Sequence, residues 1–276
     1  MRVSLTRTAR IPDLYKIERY KRTPEYGPRL LFFSGGSAAR GLSEVLPTYT
    51  HNSIHLMTAF DSGGSSAVIR KAFNMLSVGD LRTRLMALAD QTLMGTPSIF
   101  RLFSYRFPKR AKNETLRQRL GEMIKGDDPY VMGIEEPMRN IICSHLHYFN
   151  RKMPDSFDLR GASIGNLILA GGFLNNNRNI NPVLFLFSKL VEVRGHVRPI
   201  TDGFYHLGAT LADKSVVIGQ HLLTGKEVAP ISAPIDHLFL SEDGEHPMAT
   251  PPLADARVAA LIDSAESVCY PMGSFY

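Results

Sequence analysis

Asp61 stands two residues before the run Gly63-Gly64-Ser65-Ser66, and Gly35, Gly36 and Ser37 form a similar run upstream. Backbone N–H groups at a glycine-rich turn that opens a helix bind anions, phosphates above all. The glycines let a ligand come close to the backbone, and Ser65 or Ser66 is expected to cap the helix that follows. A carboxylate beside such a turn is placed for a metal ion or a ligand hydroxyl. Asp80 and Arg82 lie in the stretch GDLRTR. Asp80 reads as a helix N-cap, and Arg82, inside the first turn, is placed to face an anion at the same edge. Asn166 falls in the first turn of an apolar helix, where it can bond a base or a phosphate, act as a cap, or sit as a buried amide. Gly273 and Ser274 give a third glycine–serine turn. The expected chemistry is recognition of a phosphorylated ligand, with Asp61 and Asp80 as candidate catalytic acids and Asp61 as candidate metal ligand.

Other chemistries lack their spacing. Gly35, Gly36 and Gly41 do not give the G-x-G-x-x-G pattern of a dinucleotide loop. His145 and His147 are two residues apart on a helical stretch, so they point to different faces and make a poor metal pair. Cys143 and Cys269 form neither a metal-spaced cluster nor a disulfide framework.

The elements that must carry these residues are strand, glycine loop and helix, used twice. Residues 30–33 and 53–59 are short apolar runs suited to a buried parallel sheet. Two glycine turns then lie side by side at the carboxyl edge of that sheet, where open α/β folds bind ligands. Residues 97–152 read as an inserted helical subdomain. Helices are expected over 158–173 and 182–193. A β-meander is expected over 197–200, 204–211 and 215–219. A strand at 235–240, a helix at 255–264 and a strand at 267–270 complete the pattern. A strand and loop with no helix after them leave apolar surface uncovered, so a longer chain is expected.

At 276 residues, with 44% hydrophobic and 21% charged residues, the composition is that of a globular protein. No apolar run approaches the roughly 18 residues of a membrane span. The start lacks the apolar core of a secretory signal, so a cytoplasmic location is expected. Residues 1–29 carry nearly the whole net charge of +6. A confined basic arm of this kind is expected on the surface or against a partner subunit, which makes a homodimer the candidate assembly. Nucleic acid is not expected as a partner, because the body of the chain is almost neutral.

Taken together, the motifs resemble the CofD/YvcK family. The stretches that carry the resemblance are SGGSAARGL at 34–42, TAFDSGGSSAVIR at 58–70, VGDLRTRLMALAD at 78–90, FSYRF at 103–107, GASIGNLILA at 161–170, RGHVRPIT at 194–201 and YPMGSFY at 270–276. They run in family order from residue 30 to the end. The resemblance implies a Rossmann-like, three-layer parallel sheet with helices on both faces. It implies a nucleotide diphosphate-linked ligand or a nucleotide sugar. One arm of the family, CofD, transfers a phospholactyl group from a guanosine diphosphate-linked donor to a deazaflavin, with magnesium. The other, YvcK, is a nucleotide-sugar-binding regulator of carbon and cell-wall metabolism. The ending PMGSFY is more similar to the YvcK arm. Two departures stand out: Ser62 takes the place of a second acid, and Ala162 stands where many members have histidine.

Overall fold

The basic start of the chain forms one short helix, α1 (Leu14–Arg22), opened by Asp13, whose side chain accepts from the Lys16 N–H. None of its residues is buried. The computed structural model describes residue 8 and residues 11–36, 38–90, 96–225, 228–249, 251–252 and 254–271.

The apolar runs then form β1 (Leu30–Ser34) and β2 (Ile54–Met57), joined through α2 (Arg40–Val45) and paired in parallel, Leu31 opposite Ile54 and Ser34 opposite Met57. Every β2 residue is buried. α3 (Gly64–Phe73) follows β2 and ends at Asn74 in the left-handed conformation, which a short polar side chain tolerates. α4 (Gly79–Leu88) packs beneath the loop after β1.

A helical layer follows: α5 (Pro97–Ser104), α6 (Asn113–Lys125), α7 (Pro129–Met132), α8 (Met138–Lys152), α9 (Ile164–Asn175) and α10 (Ile180–Leu190). Asp128 opens α7 by accepting from the Tyr130 N–H and pairs with Arg119 at 2.9 Å. Residues 97–152 are thus largely helical. They share one apolar core with α3, α4, α9 and α10, a continuous cluster reaching from Met57 to Val197.

The chain returns to the sheet as β3 (His196–Pro199), parallel to β2. The meander therefore does not begin at 197. Alternation reports which side of a strand is buried, not which strand it pairs with. The antiparallel sheet consists of β4 (His206–Leu211), β5 (Val216–Ile218) and β6 (Ile235–Ser241), with α11 (Gln220–Thr224) between β5 and β6. α12 (Ala256–Asp263) and β7 (Ser267–Cys269) close the fold, and β7 lies parallel to β1.

The parallel sheet runs β3-β2-β1-β7. Counting only its own strands in chain order gives 3-2-1-4, the first four strands of the doubly wound order 3-2-1-4-5-6. Leu31, Phe33, Ile54 and Leu56 turn one face toward Val258, Leu261 and Ile262 around α12. Met57 and Val197 turn the other face toward the helical core. The result is an α/β fold with a parallel sheet between helices. No helix among the described residues is long and apolar enough to cross a membrane.

Candidate functional site

Two buried arginines hold the two glycine loops. Arg84, on α4, is 1% exposed and donates to Ala39 O and Gly35 O at 3.0 Å and to Ser34 Oγ at 3.2 Å, fixing the loop after β1. Burial pushes its pKa down to about 10. Arg70, on α3, donates to Phe60 O at 2.6 Å, Asp61 O at 3.2 Å and Tyr205 O at 2.5 Å. It ties the loop after β2 to the entry of the antiparallel sheet. Buried guanidiniums that satisfy several carbonyls make these loops rigid before any ligand arrives.

Both carboxylates sit where the loops meet. Asp61 Oδ1 accepts from the Gly63 N–H at 3.1 Å, a local turn of the Asx type. Asp80 is not an N-cap. It lies in the first turn of α4, whose cap position is Val78 with no side-chain bond. Its Oδ2 accepts from Thr58 Oγ1 at 3.3 Å, and its carboxylate is also bonded by the Gly36 backbone. Burial first, and the Asp61 charge second, push its pKa up to about 6. Ser65 and Ser66 are not caps either. α3 opens at Gly63, and Gly64 takes φ +50, a conformation glycine adopts freely. Ser66 Oγ packs against Gly79, where a β-carbon would overlap it.

These groups open into a pocket of about 720 Å³ at the carboxyl edge of the sheet. Its lining joins Asp61, Gly63, Gly64, Ser65, Ser66, Asp80, Arg82 and Asn166, all singled out in the sequence. Arg82 donates to Phe103 O at 3.3 Å, and its Nε is buried without a partner. Burial, then the charges of Arg106 and Arg40, push its pKa down to about 10. Gly165 lets Arg82 in: a β-carbon there would lie 2.8 Å from Arg82 Cδ and from Phe103 O. Asn166 is 1% exposed, and neither atom of its amide has a partner.

Sequence reasoning missed three further cations on the lining: Arg106, Lys109 and Arg160. Arg106 donates to Ser65 Oγ at 3.1 Å and to Gly161 O at 3.3 Å. Arg160 pairs with Asp158 at 2.8 Å. The stretch FSYRF contained Arg106, but nothing in its spacing separates it from a surface arginine. Gln220 and His221 of α11 also line the pocket. A second hollow of about 300 Å³ shares Arg82, Thr83 and Arg106 with the first. Gly35 and Gly36 do not line the pocket: Gly35 is held by Arg84, and Gly36 packs on the back of Asp80. Ser37, Gly273 and Ser274 lie outside the described residues.

Crowded guanidiniums raise one another's energy, and an anion between them relieves it. The donor set also fits magnesium. Asp61 and Asp80 with the hydroxyls of Thr58 and Ser66 supply hard oxygens, and magnesium takes one or two carboxylates and completes its shell with water and substrate phosphate. Among the described residues no group of three or more His, Cys, Asp and Glu could hold a metal by itself.

An open parallel sheet with pinned glycine loops and a charged pocket at its carboxyl edge defines the class: an α/β protein of the doubly wound kind. The family model described as 2-phospho-L-lactate transferase CofD matches residues 30–276, and the chain belongs to this family. It is 25% identical over 251 residues to the putative gluconeogenesis factor of Thermoanaerobacterium thermosulfurigenes, covering 91% of this chain and 59% of that protein. It is 28% identical over 209 residues to the gluconeogenesis factor of Listeria monocytogenes, covering 74% and 48%. Among solved structures, a UPF0052 family member from Bacillus halodurans shares the fold with a TM-score of 0.58 at 22% identity, over 87% of this chain and 57% of that one. The chain thus spans about half to three-fifths of the length of these relatives.

Proposed function

We propose that the pocket binds a nucleoside diphosphate-linked ligand and that the protein is a CofD-like transferase acting at a phosphate. The observation that carries this reading is the buried Asp80 carboxyl, raised to about 6 beside Asp61, in the same pocket as Arg82 and Arg106, which form no ion pair among the described residues. A site that only held a phosphate would gain nothing from two carboxylates, which repel it. Two carboxylates are useful where a proton must be taken or a cation held.

In the proposed reaction an acceptor hydroxyl attacks phosphorus, and the bond to the bridging oxygen of the leaving nucleoside monophosphate breaks. Asp80, poised near neutrality, receives the hydroxyl proton. Arg82 and Arg106 stabilise charge on the phosphoryl oxygens, and the loop amides orient the diphosphate. Magnesium, held by Asp61 with the Ser66 hydroxyl, would neutralise charge on the bound diphosphate and leave Asp80 free to take the proton. The two hollows that meet at Arg82 and Arg106 suit a donor and an acceptor.

The curated relatives are named gluconeogenesis factors, which supports a YvcK-like role as a second reading; on that reading the protein would be a nucleotide-sugar-binding regulator of carbon or cell-wall metabolism without turnover. Calorimetry with uridine, guanosine and adenosine diphosphates, each with and without magnesium, separates the two when followed by assays for monophosphate release from diphosphate-linked donors. Magnesium-dependent binding with release supports the transferase. Magnesium-independent binding with no release across acceptors overturns it in favour of the regulator.

A further inference from the structure

Ser62 is bonded twice by His221. Its Oγ lies 2.8 Å from His221 Nδ1 and accepts the His221 backbone N–H at 3.1 Å. Ser62 thereby supplies the acceptor that α11 lacks, since its own cap residue, Gly219, has no side chain to offer. Gly219 takes φ +126, a conformation that favours glycine. The inner side of α11 is anchored by Leu223, buried with Ala209 and Leu211 of β4. The helix is thus fastened at both ends of its contact with the pocket.

Two tautomers fit this fastening, since Nδ1 can accept from Ser62 Oγ or donate to it. A hydroxyl carries one hydrogen and two lone pairs. One lone pair of Ser62 Oγ takes the backbone N–H of His221. Of the two arrangements, donation by Ser62 to Nδ1 is the one that also gives the Ser62 hydrogen a partner among the described residues. The proton of the neutral ring then sits on Nε2. His221 lines the pocket, and no hydrogen bond within the described residues uses Nε2. Beside it Gln220 also lines the pocket, and its Oε1 is buried without a partner.

We propose that His221 and Gln220 select the ligand: the Nε2–H of His221 donates to a sugar hydroxyl oxygen, and the same hydroxyl donates to Gln220 Oε1. Ser62 is the positioning residue that makes His221 a donor. A hydroxyl is the one common uncharged group that both accepts and donates through a single atom, which is what this pair of free groups requires. The hydroxyl belongs to the ribose of a nucleotide or to a sugar carried on its diphosphate. The ligand half of this inference rests on the nucleoside diphosphate reading of the pocket.

The test compares affinities within matched pairs: uridine and guanosine diphosphates against their 2′-deoxy forms, and against uridine diphosphate glucose and guanosine diphosphate mannose. The parent protein should favour the hydroxyl-bearing member of one pair about tenfold. That pair identifies the source as ribose or appended sugar. His221→Phe and Ser62→Ala should shrink the preference to about twofold, and Ser62→Thr, which keeps the hydroxyl, should restore it. In nitrogen-15 spectra of the ligand-free protein, His221 should be the Nε2–H tautomer, mixed in Ser62→Ala and restored in Ser62→Thr. An Nδ1–H tautomer in the parent overturns the assignment of Ser62, whatever the ligand. A parent that binds pyrophosphate but shows no preference in either pair, or a preference that survives in both folded variants, overturns the selection role. A parent that binds no pyrophosphate overturns the reading of the pocket instead.

Discussion

Gly36 and Asp80 pack so closely that a β-carbon on residue 36 would overlap Asp80 Oδ1. The loop after β1 therefore backs a carboxylate of α4 that also accepts from Thr58 just after β2, which ties the two glycine turns together through Asp80. Gly36→Ala must push Asp80 aside. Overpacking of this kind costs about 1–3 kcal/mol. Thermal denaturation should show a lowered Tm, and affinity for magnesium with nucleotide should fall with it. Unchanged stability and unchanged affinity would mean the loop yields freely.

Asp80 gives a stability dependence with a defined sign. Its pKa rises from 3.8 to about 6 on folding. Between those values the folded protein binds more protons than the unfolded chain, so stability falls as pH rises through the window. The full shift corresponds to about 3 kcal/mol. Asp80→Asn should flatten the dependence and stabilise the protein at pH 7. Denaturant titrations at intervals from pH 4 to pH 8 measure both. A variant that melts earlier than the parent at pH 7 would contradict the burial penalty.

Asp61→Asn keeps the shape of the turn and removes the charge. Under the transferase reading it should abolish magnesium-dependent turnover and leave most nucleotide binding intact. Because the Asp61 charge helps raise the Asp80 pKa, the acid limb of any residual pH–rate profile should move to lower pH. An unmoved limb would separate the two carboxylates.

Gly64 takes φ +50, and a β-carbon there meets nothing within 4 Å. Gly64→Val should therefore lose about 1–2 kcal/mol to backbone strain rather than to a clash. Its valine would stand in the pocket and weaken nucleotide binding in a folded protein. Calorimetry that returns parental affinity would take this loop out of the site.

The basic arm divides at residue 23. α1 has no buried residue, whereas Gly27 is buried, Pro28 O accepts from Thr50 Oγ1 at 2.8 Å, and Glu25 O and Gly27 O accept from Asn52 Nδ2 at 2.9 Å. Removing residues 1–22 should leave Tm and nucleotide affinity nearly unchanged. Removing residues 1–29 should lower Tm by several degrees, because it strips partners from Thr50 and Asn52. Differential scanning fluorimetry of the two truncations decides the point. Loss of nucleotide affinity in the shorter truncation would show that the arm reaches the pocket.

The order of apolar run, glycine turn and helix was enough to read the parallel sheet, and the turn residues 61–66 were enough to locate one wall of the pocket. Both are local signals: a strand buried on two faces is continuously apolar, and a close backbone approach needs glycine. Asp80 was legible as a residue of interest but not in its role, because a cap and a buried carboxylate look alike along a chain. Only the tertiary structure decided that β3 belongs to the parallel sheet and that the helices of 97–152 share its core. It alone brought Arg106, Lys109 and Arg160 to the pocket from beyond the glycine loops, and joined Ser62 to His221. Burial, pKa shifts and cation pairing depend on distances through space, and separation along the chain does not carry them until the sheet has fixed which loops are neighbours.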